Sequence, residues 1–65
     1  MVWKKTKDDF IAKVGELTLL VKPKPDGRWT WEVTKDGAAG AMASGVANSA
    51  NQAKRNSENF AQRAT

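Results

Sequence analysis

Paired carboxylates are the first place to look for acid–base chemistry. Of its seven acids, the chain offers one adjacent pair, Asp8-Asp9, and single acids near turns at Glu16, Asp26 and Asp36. General acid–base work needs a carboxyl group whose surroundings move its pKa toward the working pH. All five fall in, or at the edge of, sequence that reads as loops and turns, where acids are normally solvated turn-formers. Nucleophilic triads cannot be built, because the chain has no His and no Cys; both the Ser-His-Asp and the Cys-His arrangements need one of them. The same absence removes disulfides and the usual zinc ligand sets. The expectation is a protein that is not an enzyme and holds no cofactor and no metal.

Three other groups have residue types suited to ligands. Gly37, Gly40 and Gly45 lie between a strand and a helix, where phosphate-cradling loops occur. No Gly-Lys-Ser/Thr follows them and the G-x-G-x-x-G spacing is absent, so a hairpin turn, a bulge and the approach to a helix account for them. Trp29 and Trp31, with Lys22 and Arg28 beside them, have the composition of a base-stacking platform. Both Trp nevertheless share an alternation phase with Val33 and with Leu17, Leu19 and Val21, which assigns them to the core. Lys54, Arg55 and Arg63, interspersed with Asn51, Asn56, Asn59 and Gln62, are side chains that reach phosphates and base edges. Lys54 and Arg55 also stand four and three residues before Glu58, the spacing of an ordinary solvated helix surface. The net charge of +4 and a pI near 9.8 permit an anionic partner but also serve solubility alone.

The elements that must position these residues follow from periodicity. At 65 residues there is room for one domain, residues 1–65, with one modest core. Phe10, Ala12 and Val14 alternate along a strand over 9–14; Leu17, Leu19 and Val21 do so over 17–22. Gly15-Glu16 between them suits a two-residue type II′ turn, which sets Val14 opposite Leu17, Ala12 opposite Leu19 and Phe10 opposite Val21. All six then share one face. Pro25-Asp26-Gly27 marks the next turn, and a third strand over 28–35 places Trp29, Trp31 and Val33 inward. Pairing Lys22 with Arg28 predicts Val21 beside Trp29, Leu19 beside Trp31 and Leu17 beside Val33. Asp36-Gly37 is a type I′ hairpin signal. It predicts a fourth strand over 39–45, with Met42 opposite Trp31 and Ser44 opposite Trp29, although Ala and Gly are poor strand formers. Ser49 with Gln52 has capping-box spacing. It opens a helix over 50–63 whose inner stripe is Ala50, Ala53, Ser57, Phe60, Ala61 and Ala64, with Phe60 as its anchor among Trp29, Trp31 and Leu19. Residues 1–7 are an N-terminal segment expected to fray. The fold class is thus α+β: an antiparallel β-meander of three to four strands, within 9–45, packed against one C-terminal helix.

That arrangement leaves one sheet face without a helix. The predicted pairing lines up Ile11, Leu20, Thr30 and Ala43 across it. Lys13, Thr18, Glu32 and Ala41 lie on one side of this row, and Asp9, Lys22, Arg28 and Gly45 on the other. Apolar residues flanked by Lys and Arg make Ile11, Lys13, Leu20, Lys22, Arg28 and Thr30 the candidate protein-partner surface, with Leu20 its centre. Folding back of Trp3 over Ile11 and Leu20, or plain solvated surface, are the competing readings. Self-association through this face as a homodimer would give a small domain without disulfide or metal more buried apolar area. The alternative is nucleic-acid binding through Lys22, Arg28, Lys54, Arg55 and Arg63.

The run Phe10-x-Ala12-x-Val14-Gly15-x-Leu17, then Asp26-Gly27-Arg28-Trp29-x-Trp31-x-Val33, then Ala43-Ser44-Gly45-x-Ala47-x-Ser49 and Ala53-Lys54 resembles short uncharacterised proteins of bacteriophages and prophages. The resemblance covers most of the chain and rests on turn and core residues, so it implies an origin and a fold. By architecture alone, a sheet backed by one helix also resembles the amino-terminal DNA-binding domains of tyrosine integrases, which dock the open sheet face in the major groove. No segment reads as a signal peptide or a membrane span, and the expected compartment is the cytoplasm.

Overall fold

A computed structural model describes residues 3–64 of the chain. Five strands precede one helix: β1 (Lys4–Thr6), β2 (Asp9–Val14), β3 (Leu17–Pro23), β4 (Trp29–Lys35), β5 (Ala43–Ala47) and α1 (Ala50–Ala64). The strands form a single antiparallel sheet in sequential order, β1-β2-β3-β4-β5, and α1 packs across β3, β4 and β5. This is the expected α+β meander with a C-terminal helix, with one strand more than the three to four expected.

The β2–β3 hairpin follows its turn chemistry. Gly15 has φ +58° while Glu16 stays in the ordinary negative-φ region, as a two-residue turn with a left-handed first residue requires. Val14 pairs with Leu17, Ala12 with Leu19 and Phe10 with Val21, as the sequence predicts.

The β3–β4 register differs from the expected one by two residues. Val21 pairs with Trp31, Leu19 with Val33 and Pro23 with Trp29, whereas the sequence reading paired Lys22 with Arg28. The cause is a tighter loop. The Lys24 amide donates to the Arg28 carbonyl at 2.7 Å, and the Gly27 amide donates to the Lys24 carbonyl at 3.1 Å. Gly27 is left-handed at φ +89°, the pattern of a three-residue hairpin loop closed by a glycine bulge. The Arg28 amide donates to Asp26 Oδ1 at 3.0 Å, so Arg28 belongs to the loop and β4 begins at Trp29.

The β4–β5 connection departs further. Asp36 keeps a negative φ and only Gly37 is left-handed, at φ +83°, so a type I′ turn, which needs both residues left-handed, does not form. A turn closed by the Ala38 amide on the Lys35 carbonyl at 3.0 Å begins a longer loop, and β5 starts at Ala43 rather than 39. Trp31 pairs with Gly45 and Trp29 with Ala47. This register is odd relative to the expected one and therefore exchanges the faces of the strand. Ala43, Gly45 and Ala47 face the helix; Ser44 and Val46 face outward.

The N-terminal segment is also more ordered than expected. Lys4–Thr6 adds an edge strand to β2 through Lys4↔Ile11, Lys5↔Phe10 and Thr6↔Asp9. Its turn passes through Lys7 with φ +52°, a left-handed non-glycine residue that pattern reading does not anticipate. Met1, Val2 and Thr65 lie outside the described residues.

The helix starts where predicted. Ser49 Oγ accepts from the Gln52 amide at 3.1 Å, satisfying one of the unpaired first-turn donors. Gln52 donates to Asn56 Oδ1 at 3.0 Å instead of returning to Ser49, so half of the capping box forms. Ala53, Ser57 and Ala61 are fully buried, and the Ser57 hydroxyl donates to the Lys54 carbonyl at 2.9 Å. These small side chains let α1 lie close on the sheet. Beneath it one cluster joins Ala12, Leu17, Leu19, Val33 and Ala61, with Trp31 and Phe60 packed against it. A second joins Val21, Ala47 and Ala53, with Phe10 and Trp29 alongside. Phe60 is therefore a partly buried neighbour of the first cluster and Trp29 a partly buried neighbour of the second, its ring 6.0 Å from that of Phe10.

Candidate association face

The side of the sheet opposite α1 is built from the outward residues of all five strands. Its central row, taken across the sheet, reads Lys4–Ile11–Leu20–Glu32–Ser44. Ile11 and Leu20 are neighbours, as expected, and both are half-buried. Thr30 and Ala43 do not join them. The two-residue register difference puts Glu32 beside Leu20, and the exchanged faces of β5 turn Ala43 toward the helix. Thr30 pairs with Lys22 on one side and Val46 on the other, and its hydroxyl donates to the Lys22 carbonyl at 3.4 Å. The adjacent row at the other end holds Lys13, Thr18 and Thr34.

Electrostatics subdivide the candidate residues. Lys13 Nζ donates to Asp36 Oδ1 and Oδ2 at 2.8 and 2.9 Å. Both side chains are about half exposed, so the pair is screened and contributes about 0–1 kcal/mol. Lys13 is thus engaged by its own chain. Lys4, Lys22 and Glu32 are exposed and keep their charges outward. Arg28 is exposed in the loop at the end of β4, off the sheet. A shallow depression of about 470 Å³ lies against Lys4, Ile11, Ala12 and Lys13.

Trp3 does not cover this face. Its Nε1–H donates to Glu58 Oε2 at 2.8 Å, on the helix side, where Lys54 Nζ stands 3.8 Å from the centre of the Phe10 ring and 5.8 Å from that of Trp3. These cation–π contacts commit Lys54 to tying the N-terminal strand to the helix. The five residues of the nucleic-acid alternative therefore do not form one surface. Lys22 lies on the open face and Arg28 at its end. Lys54 is packed on aromatics, and Arg55 and Arg63 are exposed on the helix across the sheet.

Sequence reasoning missed two contributors. Lys4 falls in the segment expected to fray, because its hairpin turns through Lys7-Asp8 with no glycine to signal it. Val46, 50% exposed, lies beyond the expected last strand, and the small residues around it carry no usable alternation. Trp31 shows why that strand is so small: a Cβ on Gly45 would stand 2.7 Å from Trp31 Nε1. The indole occupies the space over the glycine of the neighbouring strand, so only glycine fits there.

Among the described residues there is no group of three or more His, Cys, Asp or Glu that could hold a metal ion, and no helix is long and apolar enough to cross a membrane. Comparison with protein-family models, with curated proteins and with solved structures finds no match.

Proposed function

We propose that this chain is a non-enzymatic accessory protein that acts in the cytoplasm by protein–protein association through the open face of its sheet. The observation that carries the reading is one-sided packing. Five strands present Ile11 and Leu20 at the middle of a face that, among the described residues, no other element covers, with Lys4, Lys22 and Glu32 around them. An apolar centre rimmed by charge is the general anatomy of a protein interface. The resemblance of the turn and core residues to short bacteriophage and prophage proteins supports a phage-type origin for such a part.

A second reading, nucleic-acid binding, is favoured by the exposed cations Lys22 and Arg28 at one end of the face and by the net charge of +4. A DNA and RNA titration at about 50 and about 200 mM salt separates the two, since contacts to several phosphates lose affinity steeply over that range and apolar contacts do not. The protein-association reading expects no binding to either nucleic acid that is lost on raising salt. Salt-sensitive binding abolished by Lys22→Ala and Arg28→Ala would establish the second reading in its place.

A further inference from the structure

We infer that the partner fitted by this face is a second copy of the chain, stacked sheet on sheet about a twofold axis that runs along the strands between β2 and β3; this rests on the association reading above. The order of charges across the face selects this partner. Rotation about that axis keeps each row in place and reverses it. In the central row, Lys4–Ile11–Leu20–Glu32 then meets its own reverse: Ile11 lies over Leu20 of the second copy, and Lys4 over its Glu32. In the next row, Asp9 and Lys22 follow the Phe10↔Val21 pair on β2 and β3, so Asp9 comes over Lys22 of the second copy. Thr6 comes over its Thr30. In the remaining row, Lys13, already neutralised by Asp36, comes over Thr18. Every outward charge of β1 to β4 thus meets an opposite charge or is already paired.

The other twofold stacking, about an axis across the strands, leaves each strand over itself. It sets Lys4 against Lys4 and Glu32 against Glu32, and like-charge juxtaposition opposes it; the opposite charges it brings together, Asp9 and Lys13, gain little because Asp36 already holds Lys13. One orientation of the copy is complementary and the other repulsive, so the face is self-complementary in the sense that a twofold interface demands. Sheets stacked this way lie about 10 Å apart with strands inclined by about 30°, within reach of the Lys and Glu side chains. Val46 and Ser44 on β5 fall outside the overlap, since the axis is displaced toward β1. Overlap of only four short strands places the contact at or below the small end of specific interfaces, roughly 1,200 Å² in total, where association is weak and the dimer population follows concentration.

The test is sedimentation equilibrium of the full chain from about 10 μM to about 1 mM, with circular dichroism to verify folding of each variant. The expected result is a monomer–dimer equilibrium that Leu20→Lys shifts to monomer. Glu32→Lys and Lys4→Glu singly weaken the dimer roughly tenfold, each creating two like-charge contacts per dimer. The double variant Lys4→Glu/Glu32→Lys restores it to within about threefold, because the pairs re-form with reversed sign. A wild-type chain that stays monomeric at the highest concentration overturns the inference. So does a dimer that Leu20→Lys abolishes but the double variant fails to rescue; in that case the face still associates and only the proposed stacking falls. A dimer indifferent to Leu20→Lys also overturns the inference, because it forms through another surface.

Discussion

The two faces of the sheet are made from alternate residues of the same strands, yet they serve different ends. On the helix side Leu19, Val21 and Val33 are completely buried under a helix whose contact stripe is Ala53, Ser57 and Ala61. On the other side Leu20, one residue from both Leu19 and Val21, is only half-buried, beside Glu32. The difference teaches how little apolar surface a chain of this size needs for its own fold once the helix is lined with small residues and can settle closely onto the sheet. What is left over on the second face, an apolar pair between a Lys and a Glu, is not required by the core.

The covered face is the more sensitive of the two to substitution. Leu19→Ala removes a fully buried side chain at the centre of the larger cluster and should cost about 2–5 kcal/mol, enough to leave the domain largely unfolded in a urea titration. A loss no larger than that of an open-face variant would mean that the two faces are not differentiated as described. Gly45→Ala comes next. Its new methyl would meet the Trp31 indole at 2.7 Å, and the ring or the edge strand must give way, at about 1–3 kcal/mol. The thermal midpoint should fall, and Trp fluorescence should shift as the indole is displaced; an unchanged midpoint and spectrum would show that Trp31 is free to move aside.

Smaller effects sharpen the contrast. Ser49→Ala leaves the Gln52 amide without its acceptor and should lower stability by about 0.5–2 kcal/mol, read as a lower melting temperature at unchanged oligomeric state. Leu20→Lys should change the stability of the monomer least of all, within about 1 kcal/mol, because its side chain contributes to no core cluster. A loss comparable to that of Leu19→Ala would make Leu20 a core residue and remove the basis for treating its face as available.

Local chemistry along the chain accounts for one set of features. A left-handed Gly15 closes a two-residue turn whose register agrees with the phase of six apolar residues, so only one pairing of β2 with β3 is consistent. Ser49 caps a helix whose buried positions repeat at three and four residues, and both were legible. So were the inward phase of Trp29, Trp31 and Val33 and the presence of a face without a helix. The central row of that face was legible only as far as Ile11 and Leu20. Two residues of slip between β3 and β4 leave every side chain on its own face, so hydrophobic alternation cannot distinguish Thr30 from Glu32 as the neighbour of Leu20. The three-residue loop at Pro25-Asp26-Gly27 decided it. For β5 alternation was silent, since Ala43, Ser44, Gly45 and Ala47 differ too little in size and polarity to mark a face. The packing of Trp31 over Gly45 settled which way the strand turned. Lys4 entered the sheet through a turn at Lys7 that no glycine announced, held by pairing to β2 and by the Trp3 contact with Glu58. These are non-local contacts, made only when distant segments meet, and they determined the order of charges across the open face.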